Sequence, residues 1–295
     1  MTAPPRPSSV AVLGLGAMGR RMARRLLDVG VPLAVWNRTP DAADALVADG
    51  ARRATSPRDA AQGAAAVLSV VTDDAASRAV WTGPDGALAG LAADAVAVES
   101  STLTPAWVAG WAGLVGAPAP PRSTRPSSGR GRRPRRGGSR SSSAATRPRW
   151  AASGRVRPLL DAMGGAVHAC GPTGSGAALK LAVNALFAAQ VAQAAEALAF
   201  ARALGVEGAA DVLAALPVTS PASAGAIAAI GAGAFDPLFP VDLLAKDLRY
   251  ATETAARAGV DAPLASAARA VFERARDAGL GGLNVTGVAR LYGLG

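Results

Sequence analysis

Cysteine and histidine are nearly absent from this chain of 295 residues, which contains one of each, Cys170 and His168. A single cysteine excludes an internal disulfide and any zinc site built from several cysteines. A single histidine excludes a metal site rich in histidine. We therefore expect no metal centre.

Long hydrophobic runs are also lacking in the sequence, because no apolar stretch reaches the roughly 20 residues that a transmembrane helix needs. The opening residues, MTAPPRPSSV, do not contain the apolar core of a signal peptide. The chain is nevertheless long enough to bury a large core or to form two domains. We therefore expect a soluble cytoplasmic protein with no membrane partner.

Acidic residues are missing from residues 121–150, which read PRSTRPSSGRGRRPRRGGSRSSSAATRPRW. Ten of these residues are arginine, and none is Val, Ile, Leu or Phe. The net charge of the whole chain is +10, whereas the residues outside this stretch include 21 basic and 21 acidic side chains. The basic excess therefore lies in one place, and the rest of the chain lacks the electrostatic footprint of a nucleic-acid-binding protein.

A βαβ unit is indicated at the start of the chain. The apolar run Val10–Leu13 predicts a strand, a glycine turn follows, and an amphipathic pattern predicts a helix from Met18 to Asp28. A second strand is predicted at Leu33–Trp36, and further strand-like runs occur at residues 65–72 and 95–100. Alanine-rich helical stretches separate these runs, which is typical of a parallel doubly wound sheet.

The pattern changes in the second half of the chain. Residues 156–170, VRPLLDAMGGAVHAC, predict one more helix and one more strand, and no strand signal follows. Residues 175–205 predict a single long apolar helix that ends at Gly205. Shorter helices are predicted to fill residues 207–295.

The predicted fold class is therefore α/β with a helical second domain. We expect an N-terminal Rossmann dinucleotide-binding domain over residues 1–172 and a C-terminal all-α domain over residues 173–295. A long interdomain helix is predicted to join them.

A glycine-rich turn, GLGAMG, lies between the first predicted strand and its helix. In this arrangement Gly14 permits the tight turn, Gly16 lets the backbone approach a pyrophosphate, and Gly19 lets helix and strand pack closely. The helix N-terminus offers free N–H groups to the phosphates. The cofactor-binding residues predicted from this turn are Gly14, Leu15, Gly16, Ala17, Met18 and Gly19.

The end of the second predicted strand indicates which dinucleotide is bound. An enzyme that uses NAD carries an acidic residue there for the ribose 2′-hydroxyl, whereas this chain has Asn37, Arg38 and Thr39. Arg38 can pair with a 2′-phosphate, so the sequence favours NADP(H). The alternative is that Arg38 is an ordinary solvated surface charge.

Lys180 interrupts the apolar stretch GSGAALKLAVNALF. Gly176 lies four residues before it and Asn184 four residues after it, so the three share one face of the predicted helix. A lysine there either extends its charge to solvent or has a function. Burial would lower its pKa toward the range that suits general acid–base catalysis.

Five motifs together resemble those of the β-hydroxyacid dehydrogenase family, which includes 3-hydroxyisobutyrate dehydrogenases and, as the nearest branch, glyoxylate/succinic semialdehyde reductases. The resemblance covers nearly the whole chain outside the arginine-rich stretch. The motifs are GLGAMG (14–19), WNRT (36–39), ESSTLTP (99–105), GPTGSGAALKLAVN (171–184) and FPVDLLAKDL (239–248).

The resemblance implies a set of site residues. The catalytic residues are Lys180 and Asn184. The substrate-binding residues are Ser101, Thr102, Gly176, Phe239 and Asp247, and further cofactor contacts are Val71, Thr72, Thr102 and Lys246. Two simpler interpretations remain open: Ser101 and Thr102 form an ordinary helix cap, and Lys246 and Asp247 form a surface ion pair.

The resemblance also implies a reaction and an assembly. The reaction is hydride transfer between NADP(H) and a small carboxylate-bearing aldehyde, keto acid or hydroxy acid, with Lys180 as the acid or base. Family members commonly form homodimers or tetramers through the interdomain helix. Imine reductases share the fold and the cofactor motif but usually replace the lysine, and they remain the alternative.

The arginine-rich stretch departs from the resemblance. The family has here a strand ending in a motif like DAPVSG, a glycine-rich substrate loop, and a strand ending in GGD. This chain has none of the three. The genetic code allows a test of this stretch in a second reading frame, in which the third base of each codon is joined to the first two bases of the next codon. From Arg122 to Ala151, one sequence that this second frame can encode is LDAPVVGSRPQAEAGRLAVVVGGDPAALG. Our hypothesis is a frameshifted segment from about residues 117–122 to about 151–154. We expect residues 118–152 to be irregular and the activity of this chain to be impaired.

Two other interpretations of this stretch stay open. GRGRRPRR is close to the RGRP core of a minor-groove binder, which would make it a nucleic-acid-binding arm. A plain disordered insertion is the other. We do not expect a nucleic-acid partner, because such an arm would extend from the fold rather than replace two strands.

Overall fold

A computed structural model describes residues 9–116, 156–163 and 167–294 of the chain. The stretch 118–152, for which we predicted irregular structure, lies outside these residues. The described residues form a Rossmann domain followed by a helical domain, so the predicted fold class is confirmed.

Five parallel strands form the sheet, in the order β3-β2-β1-β4-β5. Their bounds are Val10–Leu13 (β1), Leu33–Trp36 (β2), Arg52–Arg53 (β3), Ala66–Ser69 (β4) and Val96–Glu99 (β5). β1 and β2 have the predicted bounds, and β4 and β5 lie within the predicted runs. β3 was not predicted, because two exposed arginines give no apolar pattern; it is specified by pairing with β2.

Helices cover both faces of the sheet. They are α1 (Ala17–Asp28), α2 (Asp44–Ala48), α3 (Pro57–Ala61), α4 (Asp74–Trp81), α5 (Pro105–Gly116) and α6 (Val156–Met163), with 3-10 turns at Pro40–Ala43 and Ala87–Ala89. Side chains alternate along a strand, so Val10 and Val12 pack under α1 and α6, whereas Ala11 and Leu13 pack against α3 and α5. Two apolar layers result, as the doubly wound pattern predicts.

The helical domain is built around one long helix, α7. Its helices are α7 (Ser175–Ala203), α8 (Ala209–Ala215), α9 (Pro221–Gly231), α10 (Val241–Arg257) and α11 (Pro263–Ala275), followed by a π turn at Arg276–Leu280 and a 3-10 helix at Val285–Tyr292. Gly205 has φ +74°, so it ends α7 in the left-handed conformation that glycine adopts freely, as the sequence predicted.

By length and composition alone, α7 is long and apolar enough to cross a membrane, which the inspection of uninterrupted apolar runs did not reveal. One side of α7 packs against α9, α10 and α11 in the core of the helical domain. The other side exposes Leu179, Val183 and Leu186. α7 is thus a core helix on one side and an apolar surface on the other.

One predicted element is not found where it was expected. α6 confirms the helix predicted at the start of residues 156–170, but residues 167–170 form no strand, and residues 164–166 lie outside the described part. A strand forms only where a neighbouring strand accepts its hydrogen bonds, and none of the five described strands pairs with this segment.

Candidate active site

The carboxyl ends of four strands lie in one row across the sheet. Leu13 pairs with Trp36 of β2 and with Ser69 of β4, and Ser69 pairs with Glu99 of β5. The loops after these strands therefore leave the sheet at the same edge. Because β1 lies between β2 and β4, this edge contains the switch point at which open α/β sheets bind ligands.

The three glycines of the turn after β1 differ in the space around them. A Cβ at Gly14 would lie 2.2 Å from the Val70 carbonyl oxygen, and one at Gly19 would lie 2.0 Å from the Gly14 carbonyl oxygen. A Cβ at Gly16, by contrast, would meet no heavy atom within 4 Å. Gly14 and Gly19 are thus required by the fold, whereas Gly16 leaves open space over the backbone at the start of α1. This space fits a dinucleotide pyrophosphate.

The side chain of Asn37 connects the loop after β2 to the glycine turn by hydrogen bonds. The Leu15 N–H donates to Asn37 Oδ1 at 3.0 Å, and Asn37 Nδ2 donates to the Thr39 carbonyl at 2.9 Å. Arg38 and Thr39 are exposed at the same edge. Within the described part of the chain Arg38 makes no ion pair, so its guanidinium is available to an anion beside the glycine turn.

The loops after β4 and β5 are joined by side chains of the predicted site. The Val71 N–H donates to Ser101 Oγ at 2.8 Å. The Lys246 Nζ from the helical domain donates to the Thr102 carbonyl at 2.8 Å. Thr72 is exposed next to Val71. These contacts place the loop after β5 between the cofactor edge and the helical domain.

Asp247 is the centre of a buried polar group in the helical domain. Only 2% of the residue is exposed, and its Oδ2 accepts a hydrogen bond from Asn184 Nδ2 at 2.6 Å. Lys246 Nζ lies 2.7 Å from Asp247 Oδ1, and the two side chains form an ion pair. Burial raises the pKa of Asp247 above its ordinary value, against the opposing effects of Lys246, Asn184 and Lys180.

Lys180 lies one helical turn before Asn184, and its charge reaches Asp247, whose pKa it lowers. Its side chain is exposed, so the burial that we expected to tune its basicity is not found. The reason is its position along α7: residues 175–180 are mostly exposed, and the buried face begins at Leu181. The Lys180 side chain therefore lies on the exposed first turns of α7.

An aromatic pair borders the same face of α7. The rings of Phe187 and Phe239 stack with centroids 6.5 Å apart and planes inclined by 4°. Phe187 follows Lys180 by two helical turns, so Phe239 lies near the face of α7 that contains Lys180 and Asn184. Gly176, one turn before Lys180, is exposed, and a Cβ there would meet no atom within 4 Å.

Sequence reasoning missed a second contact between the domains. The Asp74 N–H at the start of α4 donates to the Tyr250 hydroxyl at 3.3 Å, and the Asp74 carboxylate accepts hydrogen bonds from the Thr104 N–H and hydroxyl at 2.9 and 2.6 Å. Tyr250 lies one turn after Lys246 on α10, and that spacing is the signal that could have indicated it. Lys246 and Tyr250 thus hold both loops from one helix face.

Among the described residues, no group of three or more His, Cys, Asp or Glu side chains is arranged to hold a metal ion. The polar groups at the edge of the sheet are amide, hydroxyl, lysine, arginine and carboxylate side chains. They suit recognition of an anionic ligand and proton transfer.

Two protein families match consecutive parts of the chain. Residues 9–171 match the NAD binding domain of 6-phosphogluconate dehydrogenase. Residues 174–292 match the family described as NAD-binding of NADP-dependent 3-hydroxyisobutyrate dehydrogenase.

Individual relatives agree with these matches. The chain is 33% identical to an NAD-dependent L-serine dehydrogenase of Pseudomonas aeruginosa, over 89% of this chain and 90% of that protein. The crystal structure of a 3-hydroxyisobutyrate dehydrogenase from Salmonella typhimurium superposes with a TM-score of 0.75 at 27% identity, covering 96% and 99% of the two chains. An imine reductase of Streptomyces aurantiacus is 29% identical with a TM-score of 0.54, over 96% and 99%.

Proposed function

This chain belongs to the β-hydroxyacid dehydrogenase family, and on that premise we propose that it transfers hydride between NADP(H) and a small 3-hydroxy acid or the corresponding aldehyde or keto acid. Its named relatives are dehydrogenases and reductases that act on hydroxyl groups, and the chain is an oxidoreductase of that kind. One arrangement supports the finer proposal: the polar group around Asp247 connects Asn184, one helical turn after Lys180, to the loop after β5 through Lys246.

The proposed cofactor contacts follow the edge of the sheet. Gly16 gives the pyrophosphate access to the N–H groups at the start of α1, and Arg38 offers its guanidinium to the 2′-phosphate. The loops of Val71 and Thr102, further along the same edge, would hold the nicotinamide end. A bound nicotinamide dinucleotide supplies or accepts the hydride.

The choice of NADP(H) over NAD(H) is testable at Arg38. We expect Arg38→Ser to weaken NADPH binding by about 10- to 100-fold, the cost of losing a hydrogen bond to a charged group, while the Kd for NADH stays the same. Fluorescence titration of both cofactors measures this. Arg257→Ser, which removes an exposed arginine of the helical domain, is the matched control. Equal binding of NADH and NADPH to the unsubstituted chain would refute the assignment.

Lys180 is the proposed acid and base. In the reducing direction hydride adds to the carbonyl carbon and Lys180 Nζ gives a proton to the carbonyl oxygen, so an aldehyde becomes an alcohol. Because the side chain is exposed, water can return the proton to Nζ. Asn184 is held by Asp247 at a fixed position one turn away, where its amide can orient the substrate.

The buried carboxylate of Asp247 is expected to make stability depend on pH. Its pKa is raised in the folded state, so between the ordinary and the raised pKa the folded protein binds more protons than the unfolded chain, and the free energy of unfolding falls as pH rises. The non-titrating Asp247→Asn variant lacks this slope. We expect the free energy of unfolding of the wild type, relative to that of the variant, to increase as pH falls from 7 toward the ordinary aspartate pKa of about 3.9. Urea unfolding at several pH values measures it, and parallel pH profiles would contradict the expectation.

The glycine-rich substrate loop of the family is missing from the sequence of this chain. We propose that a stretch from about residues 117–122 to about 151–154 is frameshifted between two compensating indels and stands in place of the family's two strand motifs and substrate loop. β5 is only half-buried along its whole length, whereas β1 and β4 are buried at every residue. A half-buried last strand is consistent with a sheet in which a further strand would pair with β5 and bury it. Sequencing the gene tests this, since the second reading frame must supply the required codons.

A second copy of the chain is the proposed partner of the exposed side of α7. Leu179, Val183 and Leu186 lie four and three residues apart, so they form one apolar strip, with 51%, 49% and 63% of each residue exposed. Such a strip on a long helix suits a homodimer, or a tetramer built from it. We propose no nucleic-acid or membrane partner and a cytoplasmic location.

Imine reduction is the second candidate function, because an imine reductase shares 29% identity with this chain. The higher TM-score of the 3-hydroxyisobutyrate dehydrogenase and the presence of Lys180 favour the hydroxy acid. Oxidation of L-serine or 3-hydroxyisobutyrate with NADP⁺, compared with reduction of a ketone and amine pair with NADPH, separates the two.

A further inference from the structure

Glu99, the last residue of β5, accepts hydrogen bonds from four donors. Its Oε1 accepts from the Ser101 N–H at 3.0 Å and the Ser101 hydroxyl at 2.6 Å. Its Oε2 accepts from the Ser77 hydroxyl at 2.7 Å and the Trp81 indole N–H at 2.8 Å. The carboxylate therefore binds the loop after β5 on one side and α4 on the other.

The hydroxyl of Ser101 has no free proton in this arrangement. It donates to Glu99, and it accepts the Val71 N–H of the neighbouring loop. Ser101 was predicted to contact substrate, but its side chain is occupied in joining the two loops. Through Ser101, Glu99 thus sets the position of Val71 and of Thr102, the next residue along the loop.

The α4 side of the carboxylate is equally fixed. Ser77 and Trp81 are fully buried, and the Ser77 oxygen accepts the Trp107 indole N–H at 2.8 Å. Trp81 packs with its ring centroid 5.3 Å from that of Trp111. Because Ser77 and Trp81 are buried and held by these contacts, they fix the position of the Glu99 carboxylate.

We infer that Glu99 is a positioning residue, which acts through Ser101 to hold the loops of Val71 and Thr102 for the nicotinamide end of the cofactor. This inference rests on the proposed nicotinamide dinucleotide. It assigns to Glu99 no contact with substrate or cofactor. It predicts that loss of the carboxylate affects the nicotinamide half of the cofactor and spares the adenosine half, which binds at Gly16 and Arg38.

Glu99→Gln tests the inference with the least change in shape. An amide has one acceptor oxygen and one NH2 group, and the Ser101 and Trp81 N–H groups can only donate. Either orientation of the amide therefore sets its NH2 against one of these N–H groups. We expect the Kd for NADPH to rise about fivefold to tenfold, the usual effect of losing such hydrogen bonds. The Kd for 2′-phospho-ADP-ribose, which lacks nicotinamide, is expected to stay the same.

Three further variants make the result specific. Ser101→Ala should weaken NADPH binding to a similar extent, and the double variant with Glu99→Gln should bind NADPH little more weakly than Glu99→Gln alone. Trp81→Phe removes the donor that faces Oε2, so combining it with Glu99→Gln should recover NADPH affinity relative to Glu99→Gln alone. Glu196→Gln, at an exposed glutamate that accepts from the Tyr292 hydroxyl, is the matched control and should bind both ligands normally.

The possible outcomes separate the two proposals. If the unsubstituted chain binds neither ligand, the proposed function fails. If it binds both and Glu99→Gln leaves the NADPH Kd unchanged, the inference about Glu99 is wrong. Equal weakening of both ligands also overturns it, because a general loss of structure would affect the two halves alike.

Discussion

A chain in which residues 122–150 are replaced by LDAPVVGSRPQAEAGRLAVVVGGDPAALG is expected to turn over its substrate at least about 100-fold faster than the present chain. The replacement has the same length and restores the family's two strand motifs and glycine-rich substrate loop. A loop that holds the substrate carboxylate fixes the carbonyl carbon against the hydride, and loss of such positioning commonly costs about this factor. The measurement is the rate of NADPH oxidation with glyoxylate or succinic semialdehyde, and of NADP⁺ reduction with L-serine or 3-hydroxyisobutyrate.

The control is a chain in which the same residues are replaced by a Gly/Ser linker of equal length. This linker removes the arginines without supplying strands or a substrate loop, so its activity should stay at the level of the present chain. NADPH should bind all three chains alike, because Gly16 and Arg38 lie outside the replaced stretch. The frameshift hypothesis would be wrong if the present chain were already as active as the restored one.

Substitution of Lys180 in the restored chain is expected to lower kcat by about 100- to 10,000-fold, the range that general acid–base catalysis contributes. Lys180→Arg is the sharper of two variants. It keeps a positive charge near Asp247, but a guanidinium does not release its proton in proteins, so it cannot act as the acid. Lys180→Ala removes both charge and proton.

The two variants distinguish proton transfer from charge. If Lys180 transfers the proton, both should lose kcat to a similar extent while the Kd for NADPH is unchanged. If it only attracts the substrate carboxylate, Lys180→Arg should retain kcat and Lys180→Ala should mainly raise KM. A fully active Lys180→Arg variant would remove Lys180 from the acid–base role.

Local pattern predicted most of the elements. β1 and β2 were predicted residue for residue, since a buried parallel strand reads as a short apolar run. α1 begins at Ala17, one residue before its predicted start, and Gly205 ends α7 as expected. β3 could not be predicted, because pairing with β2, and no property of two arginines, makes it a strand.

The roles of single side chains depended more on the tertiary structure. The sequence placed Lys180 in an apolar stretch, but the side chain is exposed because α7 meets the other helices only from Leu181 onward. The pattern of residues along the helix does not specify where that contact begins. Asn37 was predicted to bind cofactor, and its amide is engaged in holding the glycine turn. The motif around Glu99 predicted no role for this residue, because two of its four donors, Ser77 and Trp81, come from α4, a separate segment of the chain.

The sequence by itself determined the α/β class, the glycine turn after β1 and the family, because these depend on short-range periodicity and on motifs of fixed spacing. Only the tertiary structure decided which polar side chains meet: Asn184 with Asp247, Lys246 with Thr102, and Glu99 with α4. Each of these contacts joins residues far apart in the chain. Long-range pairs are set by the packing of whole elements, so no local pattern specifies them.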